Sequence, residues 1–97
     1  MNEIKRTVEH RRYSYGDYER QVLLRANLLD LIKAEYAHNH GGQEMIPLHE
    51  QCFWDLLNKI TRIAVTPTHI DTWHDIQGYS FRVEEMLLRH QEEDING

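Results

Sequence analysis

The chain has 97 residues, with 11 Lys and Arg against 16 Asp and Glu, a formal charge of −5 and 40% hydrophobic residues. This is ordinary composition for one globular domain, too apolar for a disordered chain and too polar for one that lives in a bilayer. No run approaches the roughly 18 to 20 consecutive apolar residues of a membrane span, and MNEIKRTVEHRR lacks the apolar stretch of a secretory leader, so the cytosol is the expected compartment. Cys52 is the only cysteine, which excludes an internal disulfide and a Cys-based zinc finger. A chain this short buries only about two thirds of its unfolded surface, so a homo-oligomer is expected on grounds of stability.

Charge is uneven along the chain. Lys5, Arg6, Arg11 and Arg12 outweigh Glu3 and Glu9 in a basic arm over residues 1–12, and Glu84, Glu85, Glu92, Glu93 and Asp94 outweigh Arg89 toward the end. The core is expected over residues 13–90, with an acidic tail over 91–97. Nucleic acid is not an expected partner, because a chain at −5 cannot neutralise many phosphates.

Three helices are predicted. The first runs from Asp17 to about His38, with apolar residues at Tyr18, Val22, Ala26, Leu29, Ile32 and Tyr36. Asp17 supplies a cap, and Gly41-Gly42 the left-handed backbone that ends a helix. Leu23, Leu24, Leu28 and Leu31 widen the apolar arc beyond what one partner helix covers, which suggests burial on two sides, one of them a subunit interface. The second helix opens at Pro47, carries Leu48, Cys52, Phe53, Leu56, Leu57, Ile60, Ile63 and Ala64 at helical spacing, and stops by Thr66-Pro67. Thr68 is the expected cap of the third, in which Ile70, Trp73, Ile76, Tyr79, Val83, Met86 and Leu87 recur at three and four to about His90. No segment alternates as a strand does, so the class is all-α, a bundle of about three main helices completed by oligomerisation.

Chemistry has few places to sit. Asp71, Asp75 and Gly78 share one face of the third helix at i, i+4 and i+7; two carboxylates one turn apart suit a divalent ion that works with phosphates. Acidic residues in a first turn are equally favoured by the helix dipole alone. Asp55, Lys59 and Arg62 border the apolar stripe of the second helix, where the two cations either pair with Asp71 or Asp75 or bind phosphate. Tyr13-Ser14-Tyr15-Gly16 precedes a helix N-terminus, where aromatics stack on a base or simply staple the helix start. His38 and His40 adjoin helix-ending glycines and are read as capping residues, and Cys52 as core.

Tyr15-Gly16-Asp17, Leu57-x-Lys59-x-x-Arg62-Ile63 and Asp71-x-Trp73-x-Asp75-Ile76-x-Gly78-Tyr79, in that order, resemble the MazG-like all-α nucleotide pyrophosphohydrolases. They are most similar to a compact phage and prophage branch related to nucleotide-modification-associated proteins, and the likeness spans about residues 13–88. It implies an oligomeric helical bundle that binds a (deoxy)nucleoside triphosphate with Mg²⁺ or Mn²⁺ and hydrolyses it to monophosphate and pyrophosphate. On that reading Asp71 and Asp75 are catalytic and join Asp55 as metal ligands. Lys59 and Arg62 hold phosphates, while Tyr15, Gly16, Gly78 and Tyr79 line the rest of the substrate site. The family's acidic signature, E-E-x-x-E on one helix and E-x-x-D on the next, is reduced here: Trp54-Asp55-x-x-Asn58 replaces the first, and Thr72 stands where the second has its Glu. Asp55, Asp71, Asp75 and Glu19 either form an altered one-metal site or are remnants. The alternative expectation is a non-catalytic helical interaction protein of phage origin, acting for instance in counter-defence by binding a host or phage protein.

Overall fold

The computed structural model describes residues 17–96, which form three helices and no strand: α1 (Tyr18–Asn39), α2 (Pro47–Val65) and α3 (Ile70–Asn96). The basic arm and the aromatic stretch Tyr13 to Gly16, including the two site candidates Tyr15 and Gly16, lie outside the described residues. The all-α class is thus what the structure has, and no helix is long and apolar enough to cross a membrane.

Local chemistry sets the boundaries. Asp17 is in extended backbone and its Oδ1 accepts from the Arg20 N–H at 3.1 Å, satisfying one of the orphan donors at the start of α1. At the other end the N–H of His40 and of Gly42 both reach the Ala37 carbonyl, at 3.2 and 2.8 Å, a wrap that takes φ to +65° at Gly41 and +87° at Gly42. A side chain at either position would be strained by the backbone alone, since nothing lies close to where a Cβ would be. His40 stacks on Tyr36 with ring centroids 3.9 Å apart and its Nδ1 sits 2.7 Å from the Tyr36 carbonyl, the capping use expected of it. Pro47 opens α2 after the extended Ile46, and Thr66 closes it, its N–H on the Arg62 carbonyl at 3.0 Å.

Two expectations for α3 are corrected. The residue before the helix is His69, not Thr68: its carbonyl accepts from Thr72 and Trp73 N–H, and its Nδ1 lies 2.7 Å from the Thr72 hydroxyl. The helix also continues past His90 to Asn96, because Gln91, Glu92 and Glu93 are good helix formers and no Gly or Pro intervenes before Gly97. What was expected as an acidic tail over 91–97 is the last part of α3 as far as Asn96.

α2 is central, with α1 and α3 each packed against it. Leu29, Met45 and Leu57 are the buried apolar residues, and beside them Gln21, Arg25, Thr61 and Thr72 are buried as well. The inward face of α1 therefore centres on Gln21, Arg25 and Leu29, about one residue round from the expected stripe, and Tyr18 at its start is 76% exposed. Leu23 and Leu31, expected to be covered on a second side, are 57% and 67% exposed in the single chain. A Lys33–Glu50 pair at 3.4 Å ties α1 to α2 but is well solvated and worth at most about 1 kcal/mol.

Candidate functional site

The first half of α3 and the second half of α2 enclose a hollow of ≈ 330 Å³ lined by Lys59, His74, Asp75, Gly78, Tyr79 and Arg82. Helical spacing builds it: Asp75, Gly78, Tyr79 and Arg82 fall at i, i+3, i+4 and i+7 and so share a face of α3, and Lys59 reaches across from α2. Lys59 Nζ donates to Asp75 Oδ2 at 3.4 Å; the Lys59 side chain is 20% exposed and the carboxylate 49%. Gly78 adds no side chain, and a Cβ there would meet nothing, so it leaves the floor of the hollow open. Arg82 is exposed and makes no ion pair among the described residues, which leaves the hollow with one more cation than anion.

Tyr79 closes the inner wall. Its hydroxyl donates to the Asp55 carboxylate, and this hydrogen bond, with burial and the Asp55 charge, raises the phenol above its ordinary 10. A raised folded value means that the neutral phenol is favoured by folding. Its contribution is complete below pH 10 and is lost as pH rises through the folded value. Spectroscopic titration should therefore find one tyrosine ionising late, and Asp55→Asn should bring it back to the range of the others. A Tyr79 that ionises with the rest in the parent protein would show that the bond to Asp55 is not formed.

Of the residues singled out in the sequence, Lys59, Asp75, Gly78 and Tyr79 come together in this hollow, with Asp55 behind Tyr79. Asp71 is exposed in the first turn of α3, and the half-buried Arg62 lies one turn beyond Lys59; neither lines it. Asp55, Asp71 and Asp75, the residues expected to share a metal, are not drawn into one cluster. Among the described residues no three His, Cys, Asp or Glu side chains are grouped closely enough to hold an ion, because Asp55 is turned to Tyr79 and Asp75 to Lys59. Such a donor set does not fit a caged ion.

His74 and Arg82 were not expected as parts of the site. Arg82 could have been found, since it continues the Asp75–Gly78 spacing by one more turn. A second polar group joins α1 to α2 at this end of the molecule. Arg25, 7% exposed, donates from Nη1 to Asn58 Oδ1 at 3.3 Å and lies over the Trp54 ring at 5.6 Å, while its Nε and the Gln21 Nε2 have no hydrogen-bond partner among the described residues. Thr61, 1% exposed, returns its hydroxyl to the Asn58 carbonyl at 3.1 Å. Comparison with known protein families, curated proteins and solved structures finds no match to the chain.

Proposed function

We propose that the protein binds a (deoxy)nucleoside triphosphate along the α2–α3 seam, as the likeness to MazG-like proteins of phage and prophage implies. The observation that carries this reading is the single hollow that collects Lys59, Asp75, Gly78 and Tyr79 with Arg82. Lys59 and Arg82 supply charge-assisted donors for phosphate oxygens, and Gly78 lets the ligand approach the helix backbone. A phosphate that takes over Lys59 frees Asp75, which with Asp71 is then placed to hold Mg²⁺ or Mn²⁺. When bound, that ion supplies neutralisation of the phosphate charge. Tyr79 offers an aromatic edge to the sugar or base.

A second reading, binding without hydrolysis, is favoured by the engagement of Asp55 with Tyr79 and of Asp75 with Lys59, which leaves no grouped carboxylates to activate water. One experiment separates the two. Calorimetric titration with a panel of NTPs and dNTPs in Mg²⁺ or Mn²⁺ should show saturable binding, weakened at least about tenfold by Lys59→Ala and by Asp75→Ala with helicity unchanged. Mass spectrometry of the same mixtures then reads the chemistry. Monophosphate and pyrophosphate, absent with Asp75→Ala, identify a pyrophosphohydrolase, while bound but intact nucleotide identifies the non-catalytic binder. Binding indifferent to both substitutions would remove the hollow as the site.

A further inference from the structure

Where α1 meets α2, a buried cation lacks a counter-ion. Arg25 is 7% exposed and forms no ion pair among the described residues, and Gln21, one turn earlier on the same face of α1, is 9% exposed. Each carries a buried nitrogen, Nε of the arginine and Nε2 of the amide, that meets no acceptor among the described residues. Buried donors almost always find one, and a guanidinium taken out of water with no carboxylate opposite it is costlier still. We propose that this part of the α1–α2 contact is a binding site for a tetrahedral oxyanion, inorganic phosphate or the phosphate group of a small ester, with Arg25 and Gln21 as its donors.

The free edge of the guanidinium defines that class. Asn58 Oδ1 takes Nη1 at 3.3 Å, on the side away from the Nε–H. The other edge, formed by Nε–H and Nη2–H, is a fork of two parallel donors whose spacing matches two oxygens on one central atom. Gln21 adds a third donor from a Cβ about 5–6 Å from that of Arg25, the separation of residues four apart on a helix. A phosphate has a further oxygen for that donor, whereas a carboxylate has only the two that the fork engages.

The neighbours leave the vacancy to a ligand. Thr61 and Thr72, 1% and 2% exposed, are the most deeply buried hydroxyls among the described residues. Thr61 donates to the Asn58 carbonyl at 3.1 Å, and the Thr72 hydroxyl is paired with His69 Nδ1 at 2.7 Å, so both are engaged elsewhere. Trp54, its ring 5.6 Å from the guanidinium, holds Arg25 in place without supplying an acceptor. Trp54 and Asn58 are only half-buried, so the site borders solvent along α2. It is also distinct from the hollow. Trp54 and Asn58 stand one residue before Asp55 and Lys59, about 100° round the helix from the side chains that face α3. An oxyanion held there bonds the first half of α1 from within, so its concentration sets the stability of that end of the bundle.

Calorimetric titration with inorganic phosphate at constant ionic strength tests this in the full chain carrying Lys59→Ala and Arg82→Ala, which disable the α2–α3 hollow. One saturable site should remain. Arg25→Met should weaken it by more than about a hundredfold, and Gln21→Leu by about five- to tenfold. Arg25→Lys, which keeps the charge and loses the fork, should weaken it at least about tenfold. Should any of these fail to fold, proton–nitrogen correlation spectra read the unsubstituted side chain directly: the Arg25 Nε–H resonance should shift on addition of phosphate. Glycerol phosphate then separates the two sources, because tighter binding of the ester assigns an esterified ligand and tighter binding of phosphate the free ion. Phosphate that fails to saturate, an Nε–H resonance that does not move, binding that survives Arg25→Met, or acetate bound as tightly as phosphate overturns the proposal.

Discussion

Leu57→Ala should lower stability by about 3 kcal/mol, shifting the thermal midpoint down by roughly 12–24 °C in a domain of this size. Leu57 is 4% exposed on the central helix and, among the described residues, is the most deeply buried apolar side chain, sharing the core with Leu29 and Met45. Truncation removes three side-chain carbons and their contacts from a fully buried position, and the cavity left behind adds to the lost transfer free energy. With so few apolar residues fully buried, the loss is a large fraction of a total stability that for small domains is about 5–15 kcal/mol. Leu31→Ala is the contrasting control. At 67% exposure on the outer side of α1, it should change stability by less than about 0.5 kcal/mol. Both are read from chemical denaturation followed by circular dichroism. Similar losses at the two positions would mean that α1 buries its other face, and that the packing around Leu57 is not what holds the helices together.

The difference between those two leucines also marks how far the sequence could be read. Helix starts and stops were legible because each is set by one or two residues acting locally: Asp17 on the Arg20 N–H, Gly41-Gly42 beyond Asn39, Pro47, and Thr66-Pro67. The start of α3 falls one residue after the expected Thr68, because His69 is held by its own contact with the Thr72 hydroxyl, a pairing that Thr68, a favoured capping residue type, conceals in the sequence. The inward face of α1 was less legible. Leu23, Leu24, Leu28, Leu29 and Leu31 surround the helix, so spacing defines no single apolar side, and polar Gln21 and Arg25 give no sign in the sequence that they lie inside. Of the site, the residues at helical spacing on α3 could be anticipated, and Arg82 with them. That Asp55 turns to Tyr79 and Asp75 to Lys59, so that no trio of acids forms, depends on how α2 and α3 are rotated against each other, which one-dimensional spacing does not specify.

The buried polar group on the other side of α2 leads to a pair of substitutions with opposite expected signs. Asn58→Ala should cost about 2–3 kcal/mol, although it removes only a half-buried side chain and one hydrogen bond of 3.3 Å. The loss comes from what stays behind. Arg25 is 7% exposed, Asn58 Oδ1 is the acceptor its guanidinium has, and no carboxylate forms an ion pair with it among the described residues. Stacking over Trp54 at 5.6 Å offsets part of the cost of removing that charge from water, but it supplies no acceptor for the N–H groups. Arg25→Met keeps a long flexible stem against Trp54 and removes both the charge and the unpartnered Nε, so it should be neutral within about 1 kcal/mol or stabilising. The combined Arg25→Met, Asn58→Ala chain should then be more stable than Asn58→Ala alone, because no buried cation remains to be deprived. Urea midpoints of the four proteins measure this coupling directly. If Arg25→Met instead costs more than about 2 kcal/mol and the double substitution adds the two losses, Arg25 stabilises the fold through a contact other than Asn58, and the end of α1 is held by that charge and not in spite of it.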